Sequence, residues 1–251
     1  MEFLYNSIKS DFEKVKGQPL LIMHIVIPIL AVIVFTVYYS HTHWKPTSKV
    51  SGFFQMAALI FPALIGVVSA MTTDQEFSAG KFQQMLASPM RTVTFLSKLL
   101  IILLLGLSAM LILVCGFSAS LTYILHENPF GFLYYICAAF ILFFSSVFIY
   151  VLHLIIGLKF GGTASIGLGI FETLLSALFN TGLGDGKWIF APCTWGMRFI
   201  MNFHKFMIKD KDFLQNISEL HLGIILCVVG TIAIITLTCL WFSKWEGQQS
   251  Q

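Results

Sequence analysis

Six apolar runs of spanning length alternate with short polar stretches along this chain, at about 20–39, 53–73, 95–123, 132–157, 163–183 and 220–241. A helix needs roughly 20 apolar residues to cross the hydrocarbon core of a bilayer, so each run predicts one transmembrane helix. Ahead of the first run, Leu4, Ile8, Phe12 and Val15 recur at helical spacing, with Lys9, Asp11, Glu13, Lys14 and Lys16 at the other positions. That spacing predicts an amphipathic helix over 3–16 lying on the membrane surface, broken by Gly17 and Pro19. Charged residues running to Lys16, followed by an apolar run of spanning length, do not make a cleavable signal.

Two polar stretches are more than turns. The first, between the second and third runs, reads DQEFSAGKFQQMLASPMR over 74–91. A helix begun at Glu76 carries Gly80, Gln83 and Ala87 along one face and Phe82, Met85 and Leu86 along the other, and Pro89 stops it. The second occupies 184–219, where Thr194, Arg198, Asn202, Lys205 and Lys209 recur at spacings of 4, 4, 3 and 4. At about 100° per residue they fall within an arc of about 80°. Phe199, Ile200, Phe203, Phe206 and Met207 take the remaining surface, after Trp188, Phe190 and Trp195. The pattern predicts a helix in or dipping into the membrane interface, its aromatic side in lipid.

Composition agrees with the pattern. The 251 residues are 57% hydrophobic and only 11% charged, against about 25% charged in soluble domains. Such a chain cannot cover a water-exposed surface, so the reading is a single all-α integral membrane domain over 1–251. A net charge of +3, dispersed along the chain, gives no footprint for nucleic acid. Of the five cysteines, Cys115, Cys137, Cys227 and Cys239 lie inside apolar runs and Cys193 stands alone in a loop. No CxxC or Cys/His spacing supports zinc or a disulfide framework, and His41 with His43 lacks a third ligand. Gly182-Leu-Gly-Asp-Gly-Lys187 is not a phosphate loop, because Thr181 stands where a glycine is required and Trp188 where Ser or Thr is required. Asn216-Ile217-Ser218 fits a glycosylation sequon and carries no further weight. No nucleophile–His–acid constellation lies outside the runs, so the chain is not expected to be an enzyme or to hydrolyse ATP.

Inside the runs, His24 and Pro28 lie in the first, the proline at an expected kink. Glu172 lies near the middle of the fifth. A carboxylate at that depth costs at least ~2.5 kcal/mol and turns inward to a partner or a cavity. It is either a substrate or proton contact, or a carboxyl hydrogen-bonded across helices to Ser, Thr or His153.

Glu76, Gly80, the Met85–Leu86 pair and Ser88–Pro89 resemble the cytoplasmic loop of type-2 ABC exporter permeases. Phe77 stands where that family often has a basic residue. The resemblance implies that 74–90 is a coupling helix docking in a groove of an ABC ATPase, with Glu76, Gly80, Gln83, Met85, Leu86 and Pro89 as the coupling residues. It also implies two ATPase subunits that bind ATP and Mg, no cofactor in this chain, and a second permease subunit, a paralogue or a copy. The helix before the last span is then partly re-entrant in the outer leaflet, which makes Trp195 and Arg198, with Glu172, candidates for the substrate pathway. Length and loop together look most like the lantibiotic-immunity permease subunits, of the MutG/EpiG or MutE/EpiE type. The implied substrate is a cationic amphiphilic peptide in the cell membrane of a Gram-positive bacterium. Other type-2 exporters, of drugs, lipids or polysaccharides, share the loop. A proton-coupled carrier would need inverted repeats, and none is visible; an intramembrane enzyme would have only Glu172 and His153 to work with.

Six spans put both termini on one side. With the termini cytoplasmic, Lys9, Lys14, Lys16, Lys81, Arg91, Lys98, Lys159 and Lys244 lie inside, and Lys45, Lys49, Lys187, Arg198, Lys205, Lys209 and Lys211 outside. Charge favours this orientation only weakly; the coupling resemblance favours it strongly. Lys98, at the start of the third run, is expected to snorkel to the headgroups.

Overall fold

The computed structural model describes residues 2–248. The side chains of Leu4 and Asn216, on which two of the expectations fall, lie outside the described residues. Nine α-helices and a few short turns, with no strand, make up the described chain: α1 (Glu2–Val15), α2 (Pro19–Ser40), α3 (Pro46–Ser78), α4 (Gln83–Leu86), α5 (Arg91–Ala119), α6 (Phe132–Phe160), α7 (Gly162–Phe179), α8 (Pro192–Met207) and α9 (Ile217–Lys244). A π-helical turn, Ser120–Ile124, prolongs α5. Six of these helices (α2, α3, α5, α6, α7 and α9) are long and apolar enough to cross a membrane. The protein is an all-α, multi-pass membrane protein.

Proline opens α2, α3 and α8 at Pro19, Pro46 and Pro192, where its fixed φ suits the first turn and its missing N–H is not needed. The reversal from α6 to α7 takes a single residue, Gly161, at φ +89, a conformation that a side chain would strain. Small residues then let α3 and α7 touch. A Cβ on Gly66 would lie 2.8 Å from the Ser165 carbonyl oxygen, and one on Gly169 would lie 2.7 Å from that of Pro62. Close backbone approach of this kind drives helix association where lipid offers no hydrophobic gain. Exposed apolar residues cover α2 (Ile25, Ile29, Ile33) and α9 (Ile225, Val229, Ile232), as surfaces facing lipid should.

The two ends of the bundle are locked differently. At the end carrying the termini, α1 lies against α5, and the chain after α9 returns to α6 through Gln248 Nε2, which donates to Leu158 O at 3.0 Å. At the opposite end, the fully buried Lys49 ammonium donates to Glu127 Oε2 at 2.7 Å and to Tyr39 O at 3.1 Å. It thereby ties α2, α3 and the α5–α6 turn together. Phe53 and Phe117 stack beside it at 3.6 Å.

Three expectations need correction. The second span does not end near Thr73 with a new helix starting at Glu76: α3 is continuous to Ser78, because nothing between Ala70 and Ser78 breaks a helix. The fifth span is shorter than the apolar run, since α7 ends at Phe179 and 3-10 turns follow at Gly182–Gly184 and Trp188–Phe190. The apolar side of α8 does not lie mainly in lipid: Trp195, Met197 and Ile200 are buried and only Phe206 and Met207 stand exposed. The reason is depth. α8 starts beside the middle of α6, where Gly196 faces Ser145 and Cys193 O accepts from Ser176, and ends beside Tyr134 at the far end of α6. The helix therefore climbs through the bundle rather than lying on it.

Candidate functional site

The connector between α3 and α5 is compact. Gly80, Lys81 and Phe82 take positive φ in succession, at 145°, 48° and 66°. Such conformations cost about 1–3 kcal/mol each for residues with a Cβ. The reversal swings Phe82 back beneath the bundle, where it is 1% exposed and its ring lies 5.3 Å from that of Trp245. Its burial, with that of Met85, offsets the strain. One helical turn follows, α4, and Ser88 Oγ then accepts from Met90 N and Thr94 Oγ1 as α5 begins. Gly80, Lys81, Gln83, Gln84, Ala87 and Pro89 are left exposed. The expected division of faces, Gly80, Gln83 and Ala87 outward against Phe82, Met85 and Leu86 inward, is present, but it belongs to a turn and a one-turn helix rather than to one amphipathic helix.

Glu76 does not share the exposed face. It is 3% exposed at the end of α3, within a cluster of four charges. Lys98 Nζ, on α5, donates to Glu76 Oε1 at 2.7 Å and to Asp11 Oδ1 at 2.9 Å. Lys14 Nζ, on α1, donates to Glu76 Oε1 at 3.1 Å, and Ser97 Oγ donates to Asp11 Oδ2 at 2.6 Å. Gln75 Nε2 adds a bond to Lys14 O. Two acids meet two bases, so the cluster is neutral, and it joins α1, α3 and α5 directly behind the connector. Lys98 therefore does not snorkel to headgroups: its side chain is 4% exposed and its ammonium is bound to both carboxylates. Asp11 lies on the buried side of α1 with Val15, while Phe12, expected on the apolar face, is 56% exposed.

The chain after α9 completes the site from below. Arg91 Nε donates to Leu86 O at 2.9 Å, and its Nη1 donates to Trp245 O at 3.2 Å. Trp245 packs on Trp241 and Phe242, and Phe242 on Phe95. Asp11, Lys14, Lys98, Arg91 and Trp245 all escaped the sequence reading of this region.

The substrate-pathway candidates fall elsewhere and do not meet. Glu172 turns inward from α7, its Oε2 3.0 Å from His153 Nε2, while His153 Nδ1 lies 2.9 Å from Ser165 Oγ. With the Ser165 hydroxyl donating to Gly66 O at 3.1 Å, its oxygen accepts from Nδ1–H. Trp195 is buried, and its indole N–H donates to Ile189 O. Arg198 Nη2 donates to Phe179 O at 2.6 Å and lies 3.0 Å from Asp185 Oδ1, so it caps the carbonyl end of α7. Among the described residues no three His, Cys, Asp or Glu side chains come together as a metal site would require.

An apolar groove of about 1050 Å³ opens on the flank of the bundle between α5, α6, α8 and α9, lined among others by Leu104, Phe144, Phe203, Phe213 and Val228.

Residues 7–176, about two-thirds of the chain, match the family model described as ABC-2 family transporter protein. The match takes in Asp11, Glu76, Lys98 and the whole connector, and stops before α8. No curated protein and no solved structure matches the chain.

Proposed function

The chain belongs to the ABC-2 family of transporter proteins, and on that premise we propose that it is the permease subunit of an ATP-driven exporter that expels a lantibiotic or similar cationic amphiphilic peptide from the membrane. Membership implies an ABC ATPase as partner. In this reading two ATPase subunits bind ATP and Mg, this chain holds no cofactor and performs no hydrolysis, and a second permease, a paralogue or a copy, completes the pathway. The end carrying the termini faces the cytoplasm of a Gram-positive cell.

One observation carries the reading: between two spans stands a small exposed turn whose inner side chains Phe82 and Met85 are buried, and directly behind it a buried ion-pair cluster joins α1, α3 and α5. A loose connector would absorb a push; this one passes displacement to α3 and α5 together. The peptide substrate is supported by the loop and length resemblance and by a flank groove wide enough for an amphiphile arriving through lipid.

Purification of the chain from its native membrane should bring down an ABC ATPase and a second permease. Cells lacking the chain should become more sensitive to a lanthionine-containing cationic peptide. An ATPase that co-purifies without any change in peptide sensitivity would keep the exporter and move the substrate to drugs, lipids or polysaccharides. The buried Glu172–His153 pair supports one other reading, a proton-coupled carrier. Export that survives loss of the ATPase, collapses with the proton gradient and fails in Glu172→Gln would establish it.

A further inference from the structure

The connector rests on more than the two spans it joins. Its underside, Phe82, Met85 and Leu86, is seated on the chain that follows α9. Phe82 meets the Trp245 ring at 5.3 Å, and a Cβ on Gly247 would lie 3.3 Å from Leu86 Cδ1. Arg91 bridges the two segments, donating to Leu86 O on the connector and to Trp245 O on the tail. Beyond Trp245, Gln248 donates to the last carbonyls of α6, at Gly157 and Leu158. The tail is thus pinned at both ends, to α9 by the Trp241–Phe242–Trp245 stack and to α6 by Gln248. Half of α9 is exposed, and it forms one wall of the apolar groove opposite α5 and α6.

We infer that Trp245 and Arg91 form a second transmission path, through which a displacement of the connector moves α9 and changes the width of the apolar groove. This rests on the reading that an ATPase docks on the connector. Phe82 and Trp245 are both buried, so neither ring can slide without opening a void, and close-packed contacts transmit displacement rather than absorb it. The Arg91 fork adds two directed bonds that resist separation of the same two segments. α3 and α5 are meanwhile bound to each other and to α1 by the ion-pair cluster and move as one body. α9 takes no part in that cluster; it meets α5 through side-chain packing, Phe242 on Phe95 among it, and is the groove wall that the connector reaches through Trp245. Trp245 is a positioning residue here, acting through the connector and touching no substrate.

The test uses the purified complex with its co-purifying ATPase, in lipid nanodiscs. Spin labels are placed across the groove at Phe144→Cys and Val228→Cys, both exposed, in a background lacking the native cysteines. Trapping with ATP and vanadate should shift the distance between the labels by about 2 Å or more, the size of helix shifts in switching proteins. Trp245→Ala and Arg91→Gln should abolish that shift while ATPase co-purification stays within about twofold of the parent, and Trp245→Phe should restore it, since an aromatic ring again fills the seat. No shift in the parent complex, or a shift undiminished in both variants, overturns the inference. If Trp245→Ala fails to accumulate, Arg91→Gln decides alone, because Arg91 is only half-buried and the change removes its two hydrogen bonds without opening the core. Absence of any ATPase from the parent preparation is a different result, and it overturns the docking reading itself.

Discussion

A carboxylate buried at a membrane face has to find its countercharge within the protein, and Glu76 finds two. The arrangement has a measurable signature. Removing one member of a buried ion pair strands its partner, at a cost of about 3–5 kcal/mol. Lys98→Met should therefore lower thermal stability strongly, since it leaves Glu76 and Asp11 with the quarter-exposed Lys14 as their one shared countercharge. Glu76→Gln should cost less, because Lys98 keeps Asp11, and because Lys14, a quarter exposed, contributes less to the cluster. The double variant leaves Asp11 with Lys14 at 3.7 Å, again neutral. It should be more stable than the sum of the single changes by at least about 0.5–3 kcal/mol, the range for residues in contact. Unfolding curves of the four proteins in detergent check this, and strict additivity would show that the charges act independently. Glu76 stood out in the sequence as an acid in a polar linker. What it meets could not be read there, because Asp11 and Lys98 lie 65 residues before it and 22 after it on helices whose rotation only packing sets. Arg198 shows the same limit. A stripe of polar residues was legible, but its guanidinium is spent on the end of α7.

Helical spacing found the connector's inner and outer residues but misjudged its form. The segment from Gln75 to Ser78 simply continues α3, and the turn comes where Gly80 adopts φ +145. Two substitutions separate its backbone from its surface. Gly80→Ala meets no atom within 4 Å, so its whole effect is conformational: a loss of about 1–3 kcal/mol, seen as a lower melting temperature. Gln83→Trp alters an exposed position, so stability should stay within about 0.5 kcal/mol, while the ATPase recovered with the chain should fall by about tenfold, as a bulky obstruction at a docking surface requires. Gln83→Trp with undiminished ATPase recovery would move the docking surface elsewhere. α8 was likewise found as an amphipathic helix, yet its apolar side is turned into the bundle. Amphipathicity tells that a helix has two different faces, not whether protein or lipid covers the apolar one.

The molecule as a whole has two unlike ends, one holding the connector, the ion-pair cluster and both termini, the other holding Lys49, Glu127 and the stacked aromatic rings. The lysine and arginine distribution, eight against seven, barely distinguishes them. Orientation is tested by labelling single cysteines in intact cells with a membrane-impermeant maleimide. Ser48→Cys, exposed beside α3's start, should react; Ser78→Cys, exposed at its other end, should react only after lysis. The reverse pattern would place the connector outside, away from ATP, and end the exporter reading.

Hydropathy along the chain was enough for the six spans, the interfacial helix and the site of the connector, because burial in lipid is decided by each run's own length and apolarity. The loop residues were enough to point to the family. Only the folded chain shows that α1, α3 and α5 share one neutral charge cluster, that α8 climbs inside the bundle, that Glu172 pairs with His153, and that the tail after α9 supports the connector. Each depends on which face a helix turns toward its neighbours. In a membrane that choice rests on small residues, hydrogen bonds and packing between segments far apart in sequence, none of which leaves a periodic mark.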